Sequence, residues 1–330
     1  MPLPIRLLQL LISKVKRPAL TIGVWILAPL LGFYLLTGSF YPEVLLDYQH
    51  SPLEATGQFL LLSIMPAYLM MCLITLIRNT PNVIKSIECI LPEAERYRLT
   101  ELDQAKFWPL WVGLFLVFAV WGNISWSSLS FEPSSDRFWY SLSIVIGQFV
   151  TWAVVGLVLA FSFHNSFLLH KLGKLVKIDI YNLDSLNQFG RSSLTGLLII
   201  MGVLALLPLQ SIDAAFRLDN YVNALYVCIP ASITLMLLPT WSLHRRIKLD
   251  KRTKLESINV EIASVSKSLE NTPLYQLNAL LDRRNYILHC RNWPMDLSIF
   301  SRVVFYVLIP PLAWAGAALM ELALDSFLNG

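Results

Sequence analysis

The chain reads as an all-α membrane protein with seven transmembrane helices, its N-terminus inside and its C-terminus outside, and a cytoplasmic helical hairpin between spans six and seven. Three observations lead there. Hydrophobic residues make up 55% of the 330 positions and charged residues only 15%, with a mean hydropathy of +0.57, whereas soluble domains carry about 25% charge. Seven apolar runs, uncharged except for Arg302 near the start of the last, come near the ~20 residues that a helix needs to cross a ~30 Å hydrocarbon core. The basic residues gather on one side of those runs.

Residues 1–17 place Ile5, Leu8, Leu11, Ile12 and Val15 on one helical face among Arg6, Lys14, Lys16 and Arg17, an amphipathic helix suited to the inner leaflet. The first span, Pro18 to Phe40, lacks a small-residue cleavage site, so it reads as an uncleaved signal anchor. Ala55 to Ile77, Phe107 to Ser127 and Phe138 to Phe163 follow as spans two to four, Leu194 to Gln210 as the short fifth, Asn220 to Leu243 as the sixth and Leu297 to Met320 as the seventh. Tyr41, Trp108, Trp126, Trp139, Trp241 and Trp293 sit near span ends, where amphipathic rings favour the headgroup layer. The domain plan is therefore a six-helix membrane region over 18–243 with helical inner loops at 78–106 and 164–193, a hairpin over 244–296, and a last span with a short outer tail over 297–330.

Orientation follows from the basic residues. With the N-terminus inside, the inner segments hold 24 of the 26 Lys and Arg and 13 of the 22 acidic residues. The inner face is then +11 and the outer face −7. Cys72 and Cys228 fall in spans and Cys89 and Cys290 in inner loops, so no disulfide framework is expected.

The segment after the sixth span is the most legible. Leu255, Ile258, Ile262, Val265 and Leu269 recur at heptad spacing, and after a Glu-Asn-Thr-Pro turn Leu274, Leu277, Leu281 and Leu288 resume it, which predicts an antiparallel helical hairpin. Thr272 and Pro273 suit the N-cap and first position of its second helix. Trp293-Pro294 ends that helix. Arg245, Arg246, Lys248, Lys251 and Arg252 stand directly below the sixth span, where each cation near an anionic leaflet is worth about 1 kcal/mol, so they are candidates for lipid headgroups. Without interleaved aromatics or a recognised module the same cluster does not point to nucleic acid.

Signatures of zinc, acyl-transfer and nucleotide chemistry (HExxH, GxSxG, Walker A, GxGxxG, CxxC) are absent, so no enzyme activity, metal or cofactor is expected. His164 and His170 are six apart, a spacing that does not share a helical face. No ionisable residue lies mid-span. The deep polar positions are neutral, Asn123 and Gln148 among them, and such residues glue helices together or line a water path. Pro310-Pro311 followed by Ala313, Gly316 and Ala317 predicts a kink and then a small-residue face in the last span, which makes these five, with Asn123 and Gln148, the pore or hinge candidates.

Two resemblances attach to these residues. Lys177-Ile-Asp-Ile-Tyr-Asn-Leu-Asp-Ser-Leu-Asn-Gln-Phe-Gly-Arg191 and Asn292-Trp-Pro-Met-Asp296 resemble a family of uncharacterised bacterial inner-membrane proteins, which implies the inner membrane and no particular activity. Seven spans with short outer loops, helices extended into the cytoplasm and a broken last helix are similar in layout to insect odorant and gustatory receptors, which are tetrameric cation channels lined by the last span. That likeness is of topology alone, and no residue is carried over. The expectation is an oligomeric, channel-like or sensory membrane protein assembled through its cytoplasmic helices. The alternative is a non-conducting scaffold that docks a cytoplasmic partner.

Overall fold

The computed structural model describes residues 17–40, 52–93, 108–124, 137–211, 219–267, 274–295 and 297–328, with 126, 129, 131–133 and 135 in the connection after the third helix. The predicted N-terminal amphipathic helix, the hairpin turn with Thr272 and Pro273, and Leu269 lie outside the described residues. Within them every regular element is helical. We number the α-helices α1 (Pro18–Leu36), α2 (Pro52–Glu88), α3 (Trp108–Phe118), α4 (Phe138–Gly173), α5 (Asn187–Leu206), α6 (Asp219–Lys267), α7 (Leu274–His289) and α8 (Leu297–Leu328).

Five stretches are long and apolar enough to cross a membrane, and they lie in α1, α2, α4, α5 with the 3-10 turns around it, and α6. The apolar parts of the other two expected spans, Pro109–Asn123 and Ser301–Gly316, are shorter. In the first of these, α3 passes into a π-helical turn over Ala119–Asn123, and Ile124 is extended. The Trp126 indole N–H bonds back to the Val120 carbonyl at 2.8 Å, which supplies one of the donors the loosened turn has lost.

α1 ends on a glycine-based cap. Gly38 takes a positive φ of 70°, Ser39 N–H bonds to Tyr34 O at 3.0 Å, and Gly38 N–H bonds to Leu35 O at 3.2 Å. This is the Schellman pattern, and any side chain at Gly38 would strain it. The Ser143 hydroxyl on α4 donates to Thr37 Oγ1 at 2.9 Å and ties the capped end to the bundle.

α4 is central and packs against α2, α3 and α6. α5 packs against α6, α2 and α8, while α1 lies on α2. Glycines set two of the close approaches. A Cβ at Gly202 of α5 would collide with the Tyr68 ring of α2, and one at Gly147 of α4 would collide with the Tyr34 hydroxyl of α1. The main core fills the middle of the bundle. Tyr34, Phe59 and Tyr140 form an aromatic cluster at one end, with Phe59 4.9 Å from Tyr34 and 5.6 Å from Tyr140. At the other end, Ile87, Leu169, Leu172, Val176, Leu186 and Ile247 join α2, α4, the 3-10 turn Ile180–Leu186, α5 and α6 in a second core.

That second core explains why the helices overrun the expected span ends. α2 continues past Ile77 because Val83, Ile84 and Ile87 keep a helical apolar stripe that packs there. The sixth span and the first hairpin helix are one helix of 49 residues, roughly 70 Å long.

The hairpin is antiparallel but its register differs from the expected one. On α6, Ile258 is buried and Leu255, Ile262 and Val265 are half-buried, as the spacing predicts. On α7, Ile287 is buried and Leu277, Leu280 and Arg284 are half-buried, whereas Leu281 and Leu288 face outward. Leucines occupy two adjacent stripes of this helix. The stripe that packs is the one that lets Arg284 reach Asn259 Oδ1 at 3.0 Å while burying Ile287 completely. α8 continues as one helical element through Pro310 and Pro311, with Pro310 buried.

Candidate functional site

The densest polar chemistry lies where the hairpin joins the bundle, and its starting point is the end of α4. Gly173 is the last residue of that helix and faces α6 so closely that a Cβ would meet the Ser242 hydroxyl. The carbonyls left without intrahelical partners are then taken by a cation. Arg246 of α6 donates from one guanidinium nitrogen to Gly173 O at 3.2 Å and to Val176 O at 2.6 Å. A positive charge at a helix C-terminus is favourable because the peptide dipoles point their negative ends there.

α7 ends the same way. The Lys251 ammonium donates to Leu288 O and Cys290 O, both at 2.9 Å, and to Asn292 Oδ1 at 3.2 Å. Two of the five cations expected at lipid headgroups are therefore turned onto backbone carbonyls of this chain. Arg245, Lys248 and Arg252 are exposed on α6 at positions that share a helical face.

The 3-10 turn Ile180–Leu186 forms the other wall. Asp179 caps it by accepting from Tyr181 N–H at 3.0 Å. Tyr181 stacks on Tyr286 of α7 at 5.7 Å and 15°, and its ring is flanked by Lys254 at 5.4 Å and Arg283 at 5.9 Å. Arg283 Nε also donates to the Tyr181 hydroxyl at 2.8 Å, and that bond raises the guanidinium pKa. Arg291 pairs with Asp184 at 2.8 Å. The chain then turns back toward the bundle through Trp293, which stacks on His244 at 4.1 Å and 19°, while His244 Nδ1 donates to Asn292 O at 2.8 Å. Gly190 lets this segment lie flat on α5, since a Cβ there would fall 2.9 Å from both Pro294 O and the Met295 side chain.

The two stretches that the sequence singled out, 177–191 and the described part of the second, 292–295, are thus in mutual contact, and the expected hairpin packs on the first of them. What sequence reasoning missed is the use of the cations. The legible signal was a surplus of Arg and Lys with few acidic neighbours; backbone carbonyls at helix ends were the partners of two of them.

The pore and hinge candidates do not converge. Gln148 accepts from the Trp152 indole on its own helix at 3.1 Å. Asn123 lies in the π turn, 3.5 Å from Phe118 O. Pro310, Pro311, Ala313 and Gly316 are on α8, which packs against α5 and is held there by the Trp314 indole donating to Leu204 O at 2.9 Å. Gly316 has nothing within 4 Å of where a Cβ would stand, and the Ala317 side chain is outside the described set.

A cavity of about 750 Å³ opens sideways between α3, α4 and α6, lined by apolar groups including Trp111, Phe115, Trp121, Leu159 and Pro230. Among the described residues no group of three His, Cys, Asp or Glu could hold a metal ion. Comparison of the chain with known protein families, with characterised proteins and with solved structures gives no match. The site thus stands on its geometry: a clasp in which two cations of α6 close the ends of α4 and α7.

Proposed function

We propose that the chain is a seven-span membrane protein, N-terminus inside and C-terminus outside, that self-associates through α8 into a channel-like or sensory assembly. The observation that carries this reading is the free face of α8. Ser301, Phe305, Leu308, Leu312, Ala315 and Leu319 repeat at alternating spacings of four and three and are all exposed, on the side away from α5. Phe305 is 61%, Leu312 65% and Leu319 67% exposed. Lipid tails are as apolar as leucine, so helices in a membrane associate through shape rather than hydrophobicity. A heptad stripe with Ala315 and the open Gly316 offers such a shape around an axis. At that axis Phe305, Leu308 and Leu312 would form a hydrophobic constriction of the kind that gates by dewetting.

The orientation rests on the basic-residue bias, and the junction adds a role for it. A helix as long as α6, clasped to α4 by Arg246 and to α7 by Lys251, links the hairpin rigidly to the membrane core. Native mass measurement in detergent or nanodiscs tests self-association: wild type should show oligomers, and monomers alone would overturn the reading. Bilayer conductance then tests the channel. A second reading, a scaffold that docks a cytoplasmic partner, is favoured by Leu281 and Leu288, which face outward from the hairpin.

A further inference from the structure

A cleft of about 260 Å³ opens between α2, α4 and α5, beside the junction but separate from its clasp. Asn79 and Asn82 of α2, Asn165 of α4, and Gln188, Arg191 and Ser192 of α5 line it, and no acidic residue does. Asn165 is only 9% exposed, yet its carboxamide has no hydrogen-bond partner among the described residues. Its amide is not sealed off but faces the cleft, open to a partner that the chain itself does not provide. The Arg191 guanidinium likewise makes no ion pair or hydrogen bond among the described residues, and Asp184 of the preceding 3-10 turn is engaged with Arg291.

The cleft combines one guanidinium with four carboxamides and four hydroxyls. A divalent cation would find no anion to neutralise it. An acyl chain would desolvate the amides without pairing them, and a neutral sugar would leave the arginine unsatisfied. A tetrahedral oxyanion satisfies both, because it accepts the guanidinium fork and the amide N–H groups together. The position agrees, since the apolar runs of α2, α4 and α5 stop at Ile77, Phe163 and Leu194, so the cleft lies where hydrocarbon would give way to headgroups.

We propose that this cleft binds a phosphate group, presented by an anionic lipid or as a free phosphate. The inference does not depend on how α8 associates. The test uses full-length protein delipidated in neutral detergent, with native mass spectrometry and thermal melts in the presence of phosphatidylglycerol, phosphatidylcholine or inorganic phosphate. Phosphatidylglycerol should be retained over phosphatidylcholine, and R191Q should weaken that retention about tenfold, the loss of one charge-assisted contact. N165D, which puts a negative charge into the cleft, should weaken it at least as much, while R191K keeps part of it and K171Q, at an exposed position of α4 outside the lining, leaves it unchanged. Stabilisation by inorganic phosphate that is lost in R191Q and N165D, with no preference for phosphatidylglycerol, would assign the site to a free phosphate and support the proposal. Equal loss in K171Q and R191Q would reduce the effect to diffuse surface charge and overturn it. So would wild type that neither retains phosphatidylglycerol nor is stabilised by phosphate.

Discussion

Replacing Arg246 with methionine tests whether the junction cations act as helix caps or as lipid anchors. Methionine keeps most of the aliphatic volume and removes the charge and its donors. In the structure one guanidinium nitrogen serves Gly173 O and Val176 O, at 3.2 and 2.6 Å. A hydrogen bond to a charged group is worth about 1.5–3 kcal/mol, and a cation at a helix C-terminus adds roughly 0.3–1 kcal/mol. Because both contacts share one nitrogen on a half-buried side chain, they do not add in full, and a loss of ~2–3 kcal/mol is expected. That corresponds to roughly 30- to 150-fold faster amide exchange where local opening controls it. The amides to watch are those of Lys174, Leu175 and Val176, which bond back to Lys171 and Leu172 in the last turn of α4. Hydrogen-exchange mass spectrometry of the purified protein reads them directly. Arg245→Met, on the exposed side of α6, should leave them unchanged, and Arg246→Lys should fall between. If the two methionine variants behaved alike, or if Arg246→Met left protection intact, the capping argument would be wrong.

Three other perturbations follow from the same packing. Lys251→Met removes the donor to Leu288 O, Cys290 O and Asn292 Oδ1, so the half-buried Cys290 thiol should react several-fold faster with a maleimide, while Cys228 in the core should not change. Gly202→Ala forces the Tyr68 ring away from α5; overpacking of this kind costs about 1–3 kcal/mol, visible as a lower melting temperature that Tyr68→Ala in the same chain partly restores. Leu308→Ala with Leu312→Ala trims the free face of α8, and should shift native mass spectra toward monomer without altering the monomer's melting; an unchanged oligomer distribution would count against the proposed assembly.

Several of these features were legible in the residues alone. The helix-period apolar stripe of 255–265 marks the first hairpin helix because a surface helix must bury one face, whatever it packs against. Trp293-Pro294 bounds the second, which ends a few residues earlier at His289, because the residue before a proline is biased away from the helical region. The register of α7 was not legible. Leu277 with Leu281 and Leu277 with Leu280 are both acceptable helical pairs, and the choice was made by Asn259 across the hairpin, 25 positions from Arg284.

The polar sites divide the same way. That Arg246 and Lys251 are charged and lie below a span is a matter of composition, but a cation's partner is set by distance, and backbone carbonyls leave no mark in a sequence. The same is true of Asn165, an ordinary residue at the end of an apolar run until α2 and α5 enclose it. The sequence by itself determined the apolar helical character, the asymmetry of charge and the hairpin, because these depend on local periodicity and on the cost of moving polar groups into hydrocarbon. The tertiary structure decided which helix ends the cations close, which face of α8 stays free and where a charged ligand finds donors, because those depend on contacts between residues far apart in the chain.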